Sequence, residues 1–217
     1  MLLAMLAGCA KKEQQPTAQL PDGATLISDA SGIMREVQSA HVRIAAEGPV
    51  TGLPLRSADG DLTRAGDAKG TVQLEQLGNL IEYEFVVVGE SIYLKGVTGG
   101  WQKLPVALAS SFYDPSAILD PDRGVSKVLA SATEATTEAE ETVDGRATYR
   151  VGAKLDSTAS ALVPGVGPGA PAKLWVDKES KQLRRALLTV PGTEPGKTAT
   201  VTIDFTDIGK PVTVSAP

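Results

Sequence analysis

The chain has 217 residues with 21 Lys and Arg against 26 Asp and Glu, a formal net charge of −5. That length suits one substantial domain, and a mildly acidic chain with no basic cluster beyond Lys11-Lys12 gives no support for nucleic-acid binding. Aromatics are 4% of the chain and it holds a single cysteine, so an internal disulfide and a Cys-based metal or redox site are excluded.

A short apolar run, Met1-Leu2-Leu3-Ala4-Met5, leads into Leu6-Ala7-Gly8-Cys9 and then the polar Lys11-Lys12-Glu13-Gln14-Gln15. Leu-Ala-Gly-Cys resembles the lipobox of bacterial lipoproteins. The resemblance implies cleavage before Cys9 and a diacylglyceryl anchor on its thiol. A secretory signal needs a basic n-region and an apolar core of ~7–15 residues. The eight residues before Cys9 are uncharged, and we read residues 1–8 as a truncated signal peptide or the product of a misplaced start. They also fall short of the ~20 apolar residues of a membrane-spanning helix. Residues 9–20, polar and without apolar periodicity, read as the lipidated cysteine and a solvated tether. Residues 21–217 read as the functional domain.

Asp22 is a plausible N-cap for a helix running to about Ser39. Leu26, Ile27, Ala30, Ile33, Met34 and Val37 recur at helical spacing and predict one apolar face. From His41 to about Lys103 the period becomes two, with turn signals every ten residues or so, which predicts an antiparallel meander with one dry face. Asp114-Pro115 and Asp120-Pro121 are helix-start signals for two short helices between Tyr113 and Ala132. Glu134–Glu141 reads as a solvated acidic connector. Strands resume at about Glu140, with Asp144-Gly145 as a hairpin turn, and run to Phe205, with Val212 and Val214 as a last short edge. Ser160–Ala172 is apolar and rich in Gly and Pro. It reads either as a loop that touches something greasy, through Leu162, Val163 and Val166, or as a plain linker.

No constellation points to catalysis. His41 is the only histidine, no Gly-rich phosphate loop follows a strand, and no Gly-x-Ser-x-Gly elbow occurs. Asp59 and Asp61 lie in Ala-Asp-Gly-Asp-Leu, read as a turn, which would hold a cation only with ligands from elsewhere. The chain is therefore expected to be no enzyme and to need no metal or cofactor.

Four stretches agree on one family. They are Ser39-Ala40-His41, Gly60-Asp61-Leu62-Thr63, the run from Phe112-Tyr113-Asp114-Pro115 to Asp120-Pro121-Asp122-Arg123-Gly124, and Lys127-Val128-Leu129-Ala130. With the lipobox, the chain resembles the LppX/LprA/LprF/LprG family of mycobacterial and related actinobacterial lipoproteins, the LprG branch above all, from about Leu20 to Val214. The resemblance implies an α+β fold. Its core is a single strongly curved antiparallel sheet, a half-barrel similar to LolA and LolB, with helices on the concave face and a hydrophobic cavity between. It implies binding and carriage of multi-acylated lipids or glycolipids, such as triacylglycerol and phosphatidylinositol mannosides, across the cell envelope. It further implies a lipid-anchored site on the outer face of the cell membrane, with a cell-wall or secreted fraction, and for the LprG branch a membrane efflux permease as partner. We expect a monomer. For the cavity lining we expect the medium aliphatics Ile33, Met34, Val37, Ile44, Val72, Leu74, Val87, Val128 and Leu129, with Leu162, Val163 and Val166 at its mouth. A second reading uses the same residues to fill a solid core in a lipoprotein that supports an envelope transporter complex.

Overall fold

In a computed structural model of the chain, residues 19–50, 52–110 and 115–217 are described. Cys9, residues 10–18 of the tether and Phe112-Tyr113-Asp114 lie outside them.

Helix α1 (Gly23–Arg35) starts where Asp22 accepts the Thr25 backbone N–H at 2.8 Å, the N-cap expected from the sequence. It ends four residues before Ser39 because the chain must extend there. Ser39 opens β1 (Ser39–Glu47), pairs with Thr63, and its hydroxyl donates to the Lys210 carbonyl at 2.6 Å. The predicted meander follows as β2 (Leu55–Thr63), β3 (Ala68–Gln76), β4 (Asn79–Val88), β5 (Ser91–Gly96) and β6 (Gln102–Pro105). Helix α2 (Val106–Ser110) was not foreseen. A 3-10 turn (Pro115–Ala117) and α3 (Val125–Ala130) stand where two short helices were expected. Asp120-Pro121 starts no helix, since the N-cap of α3 is Gly124; the Asp120 carboxylate instead ties a turn, accepting the Asp122 N–H at 2.8 Å, and the Arg123 guanidinium beside it holds its pKa down.

The acidic segment expected to be a connector is a strand, β7 (Thr133–Val143). Its carboxylates are neutralised across the sheet. Glu134 pairs with Lys154, Glu138 with Arg150 and Lys173, and Glu140 with Lys178. Glu141 pairs with Arg150 and accepts the Trp175 indole N–H at 2.6 Å. An edge strand dense in charge is protected against pairing with another chain, which is why its sequence looks like a solvated segment. Asp144 (φ 47°) and Gly145 (φ 76°) make the expected turn into β8 (Arg146–Leu155). Then come β9 (Ala170–Asp177), β10 (Leu183–Pro191) and β11 (Thr198–Thr206). Val212 and Val214 form no edge strand; the tail instead lies over β3, where Lys69 donates to the Thr213 carbonyl at 3.0 Å.

Among the described residues, eleven strands form one antiparallel sheet in the order β6-β5-β4-β3-β2-β1-β11-β10-β9-β8-β7. Two sequential meanders are thus joined by the β1–β11 pair, and β6 and β7 are left as unpaired edges: the sheet is curved but not closed. Alternation sends Val42, Ile44, Val201, Ile203 and Phe205 inward and His41, Arg43 and Asp204 outward. Asp59 and Asp61 therefore sit inside β2, not in a turn. On the outer face they meet His41 at 3.3 and 2.9 Å and Arg43 at 2.9 Å. Among the described residues no three His, Cys, Asp or Glu side chains are grouped to hold a metal ion.

One buried charge anchors the lower end of the second meander. Asp177, 1% exposed, accepts from Arg146 Nε and from the Glu179 and Ser180 backbone N–H groups, each at 2.9 Å. Burial alone would raise its pKa. The Arg146 hydrogen bond and the two backbone donors outweigh that and hold it at about 2. The folded value lies below the unfolded one, so the contribution is complete above about pH 4 and is lost as pH falls towards 2. It amounts to about 2 kcal/mol. Urea unfolding at pH 7, 4 and 2 should show this loss in the native chain and not in Asp177→Asn. Parallel loss in both would assign the acid sensitivity to another group.

Candidate functional site

The two meanders are covered differently. Helix α1 packs over β7, β8 and β9, and α3 packs on α1 and on the 3-10 turn between β8 and β9. Leu26, Ile27, Ala30, Met34, Val128 and Leu129 are driven there into the inner face, beside Val151, Val176, Leu183 and Phe205. The segment between β8 and β9 belongs to the same half. It forms a 3-10 turn (Ser157–Ala161), and Leu162, Val163 and Val166 are all at most 5% exposed. Over β1 to β6 the described chain supplies only α2, against β5 and β6, and the turn Pro115–Ala117, against β2.

That half is hollow. A cavity of about 820 Å³ lies on the inner face of β1–β6, a size in the range of small-molecule and cofactor sites. Strand pairing sets its lining in rows. One row runs Val42, Gly60, Phe85 and Leu94, with Gly70 between Gly60 and Phe85 outside the lining; the next runs Ile44, Ala58, Val72, Tyr83 and Gly96. A third brings Leu62, Ile92 and Leu104. Ile118, buried behind the Pro115–Ala117 turn, closes one side. Small residues in the middle of rows leave the space open, since an interior is otherwise packed to near-crystal density. At Gly60 and Gly70, directly opposite each other, the two strands approach so closely that no Cβ fits. One built on Gly60 would lie 2.5 Å from the Lys69 carbonyl oxygen, and one on Gly70 would lie 2.6 Å from Gly60 Cα and collide with the Asp59 carbonyl. The absence of side chains here is what allows β2 and β3 to approach so closely.

The sheet has two ends. The lower carries the turns at 64–67, 89–90, 144–145 and 178–182. The upper carries those at 77–78, 97–101 and 192–197, the connection from β1 to β2 and the segment between β8 and β9. The mouth is at the upper end of β3–β6, where the lining turns exposed or polar: Glu75, Gln76, Thr98, Gly99, Gly100 and Gln102. Glu75 is paired with Arg56, whose Nε lies 2.7 Å from it and which also donates to the Gly48 carbonyl at 2.6 Å. This pair is the charged feature of the rim, beside the uncharged polar groups of Gln76, Thr98 and Gln102.

Of the residues expected to line a cavity, the structure brings Ile44, Val72 and Leu74 to it. Met34, Val37, Val87, Val128 and Leu129 are packed into the core, and Ile33 is 41% exposed on α1. Leu129 instead lines a separate hollow of about 180 Å³ between α1, α3 and β7. Leu162, Val163 and Val166 are not at the mouth, because their loop folds into the covered half and is tied at Gly169 N–H to the Leu155 carbonyl at 2.8 Å. The lining missed by sequence reasoning, Tyr83, Phe85, Leu94 and the glycines, follows once the register of the β3–β4 hairpin is known, because Val72 then faces Tyr83 and Gly70 faces Phe85.

The family model for LppX_LprAFG lipoproteins matches residues 22–214. A protein of Mycolicibacterium smegmatis named lipoarabinomannan carrier protein LprG is 34% identical over 99% of this chain and 91% of its own length. Its namesake in Mycolicibacterium hassiacum is 32% identical over 99% and 93%. Among solved structures, LprF from Mycobacterium bovis is similar with a TM-score of 0.77 at 26% identity, covering 90% of this chain and 96% of that one. LppX from Mycobacterium tuberculosis shares the fold, with a TM-score of 0.66 at 21% identity over 88% and 97%. The half-barrel and its hollow are thus found in a chain matched along almost its whole described length, and the protein belongs to the LppX_LprAFG lipoprotein family.

Proposed function

We propose that the protein is a membrane-anchored lipoprotein, held by Cys9 on the outer face of the cell membrane, that takes the acyl chains of a multi-acylated lipid or glycolipid into the β1–β6 cavity and carries it through the envelope. The observation that carries this reading is the apolar hollow of about 820 Å³ with a mouth at one end of the sheet. An apolar hollow of this kind stays dry. Moving a methylene out of water is worth ~0.8 kcal/mol whether it enters a bilayer or such a cavity. A chain of ~16 carbons therefore gains on the order of 13 kcal/mol in either place, and the two nearly cancel. A carrier needs this balance: the lipid avoids water without being trapped. The polar head stays at the mouth, beside the Arg56–Glu75 pair. The cargo class covers triacylglycerol and phosphatidylinositol mannosides with their lipoglycan derivatives, in line with relatives named as lipoarabinomannan carriers. The carrier acts as a monomer, with a membrane efflux permease as its partner.

Native mass spectrometry of the full chain carrying Cys9→Ser, purified from a related lipid-rich host, tests this. The expected result is a discrete co-purifying acylated lipid. A bare polypeptide mass, unchanged after incubation with multi-acylated lipids, would instead favour an interaction lipoprotein. Leu74→Trp, which adds bulk to the lining, should lower occupancy while shifting the urea midpoint little, because the new side chain enters space already present. A solid core at that position would lose ~1–3 kcal/mol to overpacking.

A further inference from the structure

The large apolar side chains left exposed are not scattered. Among the described residues four of the seven, Leu77, Leu80, Val97 and Trp101, belong to the β3–β4 and β5–β6 tips at the cavity mouth, while Leu104 and Leu108 line the cavity nearer its other end, where Val106 N–H donates to the Glu90 carbonyl. Leu77 is fully exposed, Val97 is 86% exposed, Leu80 is 62% exposed, and Trp101 stands beside them with Lys95 over its ring at 5.7 Å. Exposed apolar clusters of this kind mark interaction surfaces.

We propose that these two tips insert into a lipid bilayer and seat the protein mouth-down on it, so that a lipid passes between bilayer and cavity without crossing water. The passage of lipid rests on the carrier reading above; the docking does not.

Three observations favour a bilayer as the occupant. First, the tips carry no charge of their own: residues 76–81 and 96–102 contain no Asp, Glu, Lys or Arg, whereas the other connections at this end include Asp156, Glu194 and Lys197 and the lower turns include Asp144 and Lys178-Glu179. Uncharged tips bearing Leu, Val and Trp suit the membrane interface, where Trp is enriched. Second, Leu77 sits at φ 51°, a left-handed conformation that bulky side chains rarely adopt and that Asn or Gly would take with less strain. A strained, fully exposed leucine contributes nothing visible to folding, which points to a role outside the fold. Third, the chain reaches α1 from the same end. Gly23 lies against the backbone of Ala135 and Thr136 early in β7, and the Pro21 carbonyl accepts from Thr137 Oγ1 at 2.6 Å. β7 begins at the upper end, opposite Lys154. The stretch from Cys9 to Gly23, about 14 residues, spans at most about 45 Å. An anchor on Cys9 therefore holds the molecule within reach of the membrane by its mouth end. The net charge of −5 gives no general attraction to an acidic surface, so the docking is apolar.

The full chain with Cys9→Ser, which cannot carry the anchor, is mixed with phosphatidylcholine vesicles, with and without brominated acyl chains, and followed by flotation and tryptophan emission. The expected result is co-flotation that persists in 0.5 M salt (about the range where surface electrostatics are screened), with a blue shift and quenching by the brominated lipid. Neither Leu77 nor Val97 lines the cavity. Leu77→Asp with Val97→Asp should therefore lower vesicle binding about tenfold or more, with unchanged urea midpoint and unchanged loading from detergent micelles. Trp101→Phe should remove the blue shift while flotation stays, which excludes Trp175 as its source. The proposal is overturned if the native chain does not float, if flotation vanishes in salt, if the double variant floats equally well, or if the tips instead drive self-association in sedimentation. Floating without any co-purifying lipid leaves the docking standing and removes the carrier reading. Lipid-loaded protein that does not float does the reverse.

Discussion

Gly70→Val should lower the stability of the domain by about 3 kcal/mol or more, read as a fall in the urea midpoint followed by circular dichroism. Gly70 lies opposite Gly60 in β2, and any Cβ there points inward into the Asp59 carbonyl and the Gly60 Cα. Those are backbone atoms of a paired strand, so no side-chain rotation relieves the clash. Either the β2–β3 pair separates or the sheet flattens. Gly70→Ala should show the same sign with a smaller fall. Gly99→Ala serves as the control: nothing lies within 4 Å of a Cβ at Gly99, and its effect should stay within about 0.5 kcal/mol. If Gly70→Val costs no more than Gly99→Ala, β2 and β3 do not approach so closely there.

Met34→Ala should cost about 3 kcal/mol, and Leu74→Ala only about 1 kcal/mol, although each removes an aliphatic side chain from the inner face. Met34 is 1% exposed in the half filled by α1, α3 and the segment between β8 and β9, so truncation opens a new cavity and forfeits packing on all sides. Leu74 is half-buried on the wall of a space already present, and shortening it enlarges that space without removing facing neighbours. Paired unfolding curves check the difference. Equal losses would show that the β1–β6 half is as solidly packed as the other. Lipid occupancy measured on both variants should remain near that of the native chain, since neither change obstructs the cavity.

Much of the architecture was legible in the order of residues. Asp22 and the 3.6-residue spacing from Leu26 to Met34 define α1, and the period-two runs between turn signals outline most of the strands. Both signals are local, carried by caps, turns and alternation within a dozen residues. The misreadings have one cause. Glu134–Glu141 looked like a solvated connector because its neutralising partners, Lys154, Arg150, Lys173 and Lys178, lie on β8 and in and beside β9. Ser160–Ala172 reads as a loop against something greasy or as a linker because of its glycines and prolines, while Leu162, Val163 and Val166 are in fact buried in the protein's own core.

The site shows the division most clearly. By itself the sequence determined that the chain is built of amphipathic strands and short helices and that it carries the marks of a lipoprotein family, and it supplied the aliphatic residues that any inner face requires. A core and a cavity demand the same residue types, so composition and period could not distinguish Met34 from Leu74. The tertiary structure decided that, by packing α1 over β7–β9 with α3 against it, leaving β1–β6 thinly covered, and placing Gly60 against Gly70 where neither strand has room for a Cβ. Where helices lie on a sheet depends on contacts between segments a hundred residues apart, and such contacts leave no periodic trace in either segment alone.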